Sequence, residues 1–156
     1  MKFYDCKTAP SPRRVRIFIA EKGLDIETVD IDMRKGEQMS EAYRAINPNC
    51  TVPALILDDD NILQTTAGIW PYLEDMYPDP PLMGATALEK GQIADTRWKI
   101  EFSGMLAMAE ALRNSAPPMK GRALPGPDNF EQIPALAERG KERVKLFLGR
   151  VDAMIG

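Results

Sequence analysis

The 156-residue chain contains no histidine. This absence excludes a Ser-His-Asp triad, a Cys-His nucleophile pair and an imidazole general base, and it removes the commonest metal ligand in proteins. The two cysteines, Cys6 and Cys50, lie far apart in the sequence, so the chain has neither a Cys-x-x-Cys redox motif nor a zinc-type cysteine cluster. Cys6 is predicted in the core, and Cys50, in a polar loop, is predicted to be the more exposed cysteine. We expect a function that needs no metal.

Long apolar runs are also missing. No segment approaches the roughly 18 apolar residues of a membrane-spanning helix, and the N-terminal Met-Lys-Phe-Tyr-Asp does not resemble a secretory signal. Hydrophobic residues make up 44% of the chain, enough to bury the core of one domain or of two small ones. The net charge of -3 disfavours nucleic acid as a partner, although Arg13, Arg14 and Arg16 form a local basic cluster. We therefore expect a cytoplasmic globular protein that binds neither nucleic acid nor membrane.

Hydrophobic periodicity predicts that strands and helices alternate in the first half of the chain. The predicted strands cover residues 2–6, 28–33, 54–57 and 62–64, the last two forming a hairpin. The predicted helices cover residues 13–22, 39–46 and 69–76, the first of them closed by Gly23 in a left-handed conformation. The resulting order is β-α-β-α-β-β-α.

A different pattern begins after residues 77–84, where three prolines and a glycine predict a linker. Thr86-x-x-Glu89 has the capping-box pattern that opens a helix. Apolar residues then recur at helical spacing, which predicts a helix with a core-facing stripe made of Trp98, Phe102, Met105, Ala109 and Leu112. A further helix is predicted from Leu136 to Met154. The second half of the chain is therefore predicted to be helical.

The dipeptide Val52-Pro53 stands directly before the apolar run of residues 54–57. Proline at the first position of a strand has no N–H, and an X-Pro bond adopts the cis form at a cost of only about 0.5–1 kcal/mol. If this bond is cis, Val52 presents its own N–H and C=O outward, and an extended peptide can pair with them as a short added strand. The alternative that spacing alone allows is an ordinary turn at the entry of the strand.

These residues and this order of elements resemble the cytosolic glutathione transferases. The resemblance rests on Asn-Pro-x-x-x-Val-Pro-Ala-Leu at residues 47–55, on Arg-Arg-Val-Arg-Ile-Phe-Ile-Ala-Glu-Lys-Gly-Leu at residues 13–24, and on the proline-rich linker. It implies an α/β plus all-α protein, with a thioredoxin-like glutathione-binding domain at residues 1–82 and a helical domain at residues 83–156. Family members usually continue for several more helices, so the helical domain is expected to be incomplete, either by truncation or as a naturally short bacterial-type member.

The resemblance also implies the glutathione contacts. Val52 and Pro53, joined by a cis bond, would grip the cysteinyl backbone. The family places an acidic residue followed by serine at the start of the third helix, where the hydroxyl and the helix N-terminus bind the γ-glutamyl carboxylate. Alignment of that helix puts either Thr65 and Thr66 or Gln64 and Thr65 at these positions, so no carboxylate is present and we expect modest affinity. The alternative is that a threonine here is only the helix N-cap.

The catalytic position departs from the family pattern. Members activate the glutathione thiol with Tyr, Ser or Cys near the end of the first strand, and alignment on Arg14 puts Ala9 where many carry Ser or Cys. The resemblance then favours Ser11, at a position where some bacterial members use asparagine. Its hydroxyl or backbone N–H, together with the helix dipole, would stabilise a thiolate. The alternative is that Ser11 is only a helix N-cap.

Trp98, Phe102 and Met105 are implied as an apolar electrophile pocket, with core or subunit packing as the alternative. The leading hypothesis is a glutathione transferase that uses glutathione as co-substrate, activates its thiol and conjugates it to a small apolar electrophile in detoxification. The resemblance implies a homodimer. A glutathione-dependent disulfide reductase is the second hypothesis, suggested by the position of Ser11. A non-catalytic protein-interaction module is the third, suggested by Ala9, the absent carboxylate and the absent helices.

Overall fold

A four-stranded mixed sheet organises the first half of the chain in the computed structural model, which describes residues 1–155. The strands are β1 (Lys2–Asp5), β2 (Glu27–Asp30), β3 (Ala54–Ile56) and β4 (Ile62–Leu63), arranged in the order β2-β1-β3-β4. β1 runs parallel to β2 and antiparallel to β3, and β3 and β4 form the predicted hairpin. This is the expected thioredoxin-like arrangement, and the predicted α/β plus all-α class is confirmed.

The chain divides into two compact units, Met1–Ala85 and Thr86–Gly156. In the first unit, α1 (Pro10–Glu21) and α3 (Thr66–Met76) contribute to one apolar cluster with the sheet. The buried members of that cluster are Phe3, Val15, Phe18, Leu55, Leu57, Ile69 and Leu73. Successive strand residues point to opposite faces of a sheet. Tyr4 therefore packs on a second, smaller cluster formed by Cys6, Ile31, Tyr43 and Val52.

Two local predictions in the first unit are wrong. The helix predicted at residues 39–46 is instead a 3-10 turn, Glu37–Met39, followed by a single-turn helix, α2 (Glu41–Arg44). The two are separated because Ser40 has extended backbone and caps α2, its hydroxyl accepting a hydrogen bond from the N–H of Tyr43. Cys50 is not the more exposed cysteine, since both cysteines are buried.

A buried ion pair ties the end of α1 to the end of α3. The Lys22 ammonium donates to Glu74 Oε2 at 2.6 Å and to the carbonyl oxygens of Tyr77 and Pro80 at 2.7 and 2.6 Å. All three of its N–H donors are thus used. Burial raises the pKa of Glu74, but the hydrogen bonds from Lys22 and from the N–H of Met83 outweigh burial and hold the pKa below its usual range. The Glu74 carboxylate therefore stays ionised, and the hydrogen bonds of Lys22 and Glu74 fix residues 77–83 against both helices.

The second unit is helical, as predicted. Its elements are α4 (Ala87–Ile100), a π-helical turn (Glu101–Met105), α5 (Leu106–Arg113), a 3-10 turn (Pro117–Met119) and α6 (Pro134–Ile155). The capping box at the start of α4 is confirmed, since Thr86 and Glu89 each bond the other's backbone N–H. None of the described helices is both long enough and apolar enough to span a bilayer.

The predicted core stripe of this helical segment is wrong. Trp98, Phe102 and Leu112 are 63%, 52% and 56% exposed. Small residues are buried instead, because the segment approaches α6 so closely that a Cβ added to Gly140 would lie 2.5 Å from the backbone nitrogen of Ala111. Packing through small residues leaves the large apolar side chains on another face of the helix.

Replacing Lys22 with methionine should destabilise the first unit by about 3–5 kcal/mol, because Glu74 is left as a buried, uncompensated charge. The measurement is urea unfolding followed by Trp70 fluorescence in a Trp98→Phe background. Lys35→Met is the matched control: its ion pair with Asp32 is exposed, and its loss should cost less than about 1 kcal/mol. Equal effects of the two variants would contradict the structural role of the Lys22–Glu74 pair.

Gly140→Ala should destabilise the second unit by about 1–3 kcal/mol, since the new methyl group meets backbone that has no room to move. Gly149 lies in the same helix with nothing within 4 Å of an added Cβ. Gly149→Ala should therefore leave stability unchanged or raise it by up to about 1 kcal/mol through helix propensity. Trp98 fluorescence during thermal unfolding, in a Trp70→Phe background, compares the two. A neutral Gly140→Ala would refute the close helix contact.

Candidate functional site

The loop between α2 and β3 is held by a fully buried asparagine. Asn47 donates from Nδ2 to the carbonyl oxygen of Thr51 at 2.7 Å and to its Oγ1 at 3.1 Å. Its Oδ1 accepts from the N–H of Asn49 at 3.0 Å, and its carbonyl accepts from the N–H of Cys50 at 2.9 Å. Cys50 has φ +53, a left-handed conformation that this network supports. One side chain thus fixes the path of the loop up to Thr51.

Tyr43 provides the second support for this loop. Its hydroxyl donates to the carbonyl oxygen of Thr51 at 2.7 Å, so that oxygen accepts from both Tyr43 and Asn47. Burial raises the pKa of the Tyr43 phenol, which keeps the group protonated and able to donate. The carbonyl of Thr51 is therefore directed into the protein, and the next residue, Val52, is placed by the same contacts.

Val52 is the residue whose backbone N–H and C=O this loop leaves available for binding. It is buried, and within residues 1–155 neither its backbone N–H nor its C=O has a hydrogen-bond partner. The Val52-Pro53 bond is cis, as the resemblance implies. Strand pairing starts only at Ala54, opposite Tyr4. A donor and an acceptor on one residue, next to the end of a strand, form the backbone arrangement to which an extended peptide can pair.

Ser11 is the second residue of α1. The N-cap of α1 is Ala9, which packs against the cluster that contains Val52 and contributes no side-chain cap. The interpretation of Ser11 as the N-cap is therefore wrong. Ser11 Oγ accepts from Arg14 Nη2 at 3.4 Å, which leaves the O–H of Ser11 able to donate to another group. The catalytic role of Ser11 stays a prediction.

The three candidates at the start of α3 have different local roles. Thr65 is the N-cap, with its Oγ1 accepting from the N–H of Gly68 at 3.1 Å. Gln64 donates from Nε2 to the carbonyl of Ile46 at 3.0 Å, so its amide group helps to hold the preceding loop. Thr66 is the first residue of the helix, and its Oγ1 accepts from Arg14. Their glutathione contacts stay predictions.

Arg14 was predicted only as a member of the basic cluster and not as a residue that contacts Ser11 or Thr66. Its guanidinium donates to Ser11 and to Thr66, in each case at 3.4 Å, and lies over the ring of Trp70 at 5.5 Å. Spacing of three along a helix places Arg14 on the same face as Ser11. The contact with Thr66 required the three-dimensional fold. By contrast, Arg16 of the same basic cluster is committed to the buried carboxylate of Asp5.

The three candidates for an electrophile pocket lie in the second unit. Trp98 and Phe102 stack with ring centroids 5.8 Å apart, and Met105 is half-buried. Arg143 donates to the carbonyl oxygen of Phe102 at 2.8 Å and lies 5.6 Å from the centroid of its ring. The pocket role of these residues stays a prediction. Within residues 1–155, no group of three or more cysteine, aspartate or glutamate side chains is placed to hold a metal.

Known proteins share the architecture described above. Residues 8–76 match the family model of the glutathione S-transferase N-terminal domain. A glutathione S-transferase domain-containing protein from Marinobacter aquaeolei is 32% identical and superposes with a TM-score of 0.81 over 96% of this chain and 72% of that protein. This chain belongs to the glutathione S-transferase family. The matched segment contains the loop before β3 and the whole of α1 and α3.

Two curated relatives are similar to part of this chain. Glutathione S-transferase Z1 of Arabidopsis thaliana is 40% identical over 83 residues, 53% of this chain and 37% of that protein. Maleylacetoacetate isomerase of Pseudomonas aeruginosa is 37% identical over 94 residues, 59% of this chain and 44% of that protein. The chain thus matches less than half the length of these relatives.

Replacing Asn47 with alanine should destabilise the first unit by about 1–3 kcal/mol, because the N–H of Asn49 and the hydroxyl of Thr51 lose a buried partner. Asn49 is exposed in the same loop, so Asn49→Ala is the control and should cost less than about 0.5 kcal/mol. Urea unfolding monitored by Trp70 fluorescence measures both. If the two variants were equally stable, the loop would not depend on Asn47.

Proposed function

We propose that this glutathione S-transferase binds glutathione in the unit Met1–Ala85 and activates its thiol for reaction with a small electrophile. The observation that carries the proposal is Val52, a buried residue whose backbone N–H and C=O have no partner within residues 1–155. These two groups match the C=O and N–H of an extended cysteinyl residue. Because Asn47 and Tyr43 hold the loop in advance, binding needs little reordering of the protein.

In this proposal the glutamyl end of glutathione binds at the N-terminus of α3. Thr65 already caps the helix and Gln64 already holds the loop, so they are poor candidates for direct contact. Thr66 is the candidate that remains, through its hydroxyl and the N–H groups of the first helical turn. A carboxylate at this position is stabilised by about 0.3–1 kcal/mol through the helix dipole, in addition to its hydrogen bonds.

Thiol activation is assigned to Ser11. Arg14 donates to Ser11 Oγ, which polarises the O–H toward a sulfur at the N-terminus of α1. A hydrogen bond to a charged group contributes about 1.5–3 kcal/mol, and one pKa unit corresponds to about 1.4 kcal/mol. A thiol with an ordinary pKa of about 8.5 is then lowered by one to two units and is substantially ionised at neutral pH. The proton leaves to solvent, and the thiolate remains as the nucleophile.

Conjugation is the first candidate reaction. The glutathione sulfur forms a bond to an electrophilic carbon, and the leaving group departs with its electron pair. Trp98, Phe102 and Met105 are proposed to bind the apolar part of this electrophile. The cytoplasm as location and the homodimer as active form belong to the same proposal.

Isomerisation is the second candidate, favoured by the similarity to the maleylacetoacetate isomerase of Pseudomonas aeruginosa. In such a reaction the thiolate adds to a conjugated double bond, the resulting single bond rotates, and elimination returns the thiolate. Glutathione is consumed in conjugation and regenerated in isomerisation. Counting glutathione before and after turnover therefore separates the two reactions.

The test is calorimetric titration of glutathione into the 156-residue chain at pH 7 in two buffers of different ionisation enthalpy. Binding accompanied by proton release is expected, because the bound thiol has a lower pKa than the free one. Ser11→Ala should bind glutathione but release fewer protons, and should lower kcat with chlorodinitrobenzene by about ten- to a hundredfold, the loss of one donor.

Ser40→Ala is the control for this substitution. Ser40 is an exposed helix cap in the same unit, and its loss should change stability but not proton release. An unchanged pH-rate profile in Ser11→Ala would remove Ser11 from the mechanism. No binding at millimolar glutathione would refute the proposed function itself, and turnover of hydroxyethyl disulfide without conjugation would favour a disulfide reductase.

A further inference from the structure

The π-helical turn Glu101–Met105 lies directly against α6. A Cβ added to Gly104 would lie 2.6 Å from the ring of Phe147, so the missing side chain of Gly104 makes room for that ring. Arg143, one turn earlier in α6, donates from Nη2 to the carbonyl oxygen of Phe102 at 2.8 Å. Residues four apart along a helix share a face. One face of α6 therefore fixes the π-helical turn at two points, and such turns are frequent at functional sites.

Arg143 contacts both the backbone and the ring of Phe102. While Nη2 bonds the carbonyl oxygen, the guanidinium carbon lies 5.6 Å from the centroid of the ring. On its other side, Nη1 donates at 2.5 Å to Glu110, whose side chain is only 10% exposed. A planar guanidinium that is bonded in two directions has a fixed orientation, which a lysine ammonium on its flexible stem does not reproduce. The position of Phe102 is therefore set by Arg143.

Phe102 passes this restraint on to Trp98. The two rings stack with centroids 5.8 Å apart and planes inclined by 25°. Exposed side chains ordinarily change rotamer within nanoseconds, and a ligand that has to order them binds more weakly. Phe102 and Trp98 are both more than half exposed, yet the stack and Arg143 hold them. The exposed aromatic pair is thus ordered before any ligand binds.

We propose that Arg143 is a positioning residue of the electrophile site, where it holds Phe102, and Trp98 through Phe102, in the orientation that binds the electrophile. The inference rests on the proposed function, because it concerns residues that are proposed to bind the electrophile. Arg143 acts through the two rings and needs no contact with the electrophile or with glutathione. Its loss should therefore weaken binding of the apolar part of a ligand and spare binding of the tripeptide part.

Two ligands that differ by one apolar group test this role. Glutathione and its conjugate S-(2,4-dinitrophenyl)glutathione are titrated calorimetrically into the 156-residue chain at pH 7. Arg143→Lys keeps a positive charge beside Glu110 but cannot hold both the carbonyl and the ring of Phe102. We expect this variant to bind the conjugate about three- to tenfold more weakly and glutathione within about twofold. In turnover, KM for chlorodinitrobenzene should rise by a similar factor while KM for glutathione stays unchanged.

Arg139→Lys is the matched control. Arg139 lies one turn earlier in α6, is exposed, and pairs with the other carboxylate oxygen of Glu110. The substitution alters the pairing of Glu110 but leaves the hydrogen bond from Arg143 to Phe102 in place. Arg139→Lys should therefore change the affinity for either ligand by less than about twofold.

A double-mutant cycle separates positioning from general stabilisation of the fold. If Arg143 acts through Phe102, then Arg143→Lys should not weaken conjugate binding further in a Phe102→Leu background. The near-ultraviolet circular dichroism of Trp98, in a Trp70→Phe background, gives a measurement that needs no ligand. Its signal should fall in Arg143→Lys and stay unchanged in Arg139→Lys, because only the first substitution releases the aromatic pair.

The outcomes distinguish the inference from the proposed function. If Arg143→Lys binds the conjugate as tightly as the unsubstituted chain does, the inference is overturned and the glutathione site is intact. Equal weakening of both ligands also overturns the inference, because Arg143 would then only stabilise the fold. A conjugate that binds the unsubstituted chain no more tightly than glutathione overturns it as well. If the unsubstituted chain binds neither ligand, the inference and the proposed function are both overturned.

Discussion

The candidate site depends on the side chain of Asn47. Because this residue is fully buried and uses both ends of its amide, the loop before β3 has one path, and that path directs the carbonyl of Thr51 inward. Val52 then follows with its own backbone groups unused. A loop with several accessible paths would have to be ordered by the ligand, which would weaken binding. Asn47 thus holds the backbone N–H and C=O of Val52 in position before a ligand binds.

Some charged side chains of the first unit stabilise the fold, and another contacts the candidate site. The buried carboxylates of Glu74 and Asp5 are paired with Lys22 and Arg16, so each of these negative charges is matched where water is excluded. Arg14 contacts the candidate site instead, because it donates to the hydroxyl groups of Ser11 and Thr66. The same helix therefore carries one arginine that pairs with a buried carboxylate and another that contacts two hydroxyl groups of the candidate site.

Much of the fold could be predicted from local sequence signals. Gly23 has the left-handed conformation expected of a helix end, and Thr86 and Glu89 form the expected capping box. The hairpin and the order of elements followed from alternation and turn residues. These features depend on neighbours in the sequence, which is why patterns of a few residues were sufficient. The motif around Val52 could also be predicted from the sequence, because Pro53 stands directly before the strand β3.

The features that the sequence did not predict correctly depend on contacts between residues that are distant in the sequence. The stripe containing Trp98 was predicted as core from periodicity alone, yet the helices approach through Gly140 and Ala111, a choice that no local pattern reveals. Cys50 was predicted as the exposed cysteine because its neighbours are polar, but a left-handed turn buries it. The contact between Arg14 and Thr66 joins residues far apart in the sequence, so only the helix-face half of that interaction was predictable.

The burial of Lys22 also has a practical consequence. Its ammonium is inaccessible to solvent and makes three short hydrogen bonds, whereas Lys7 and Lys35 are exposed. An amine-reactive label therefore modifies the surface lysines of the folded protein at once and reaches Lys22 only when α1 and α3 separate. Peptide mapping of acylated Lys22 over time therefore measures the rate at which the first unit opens.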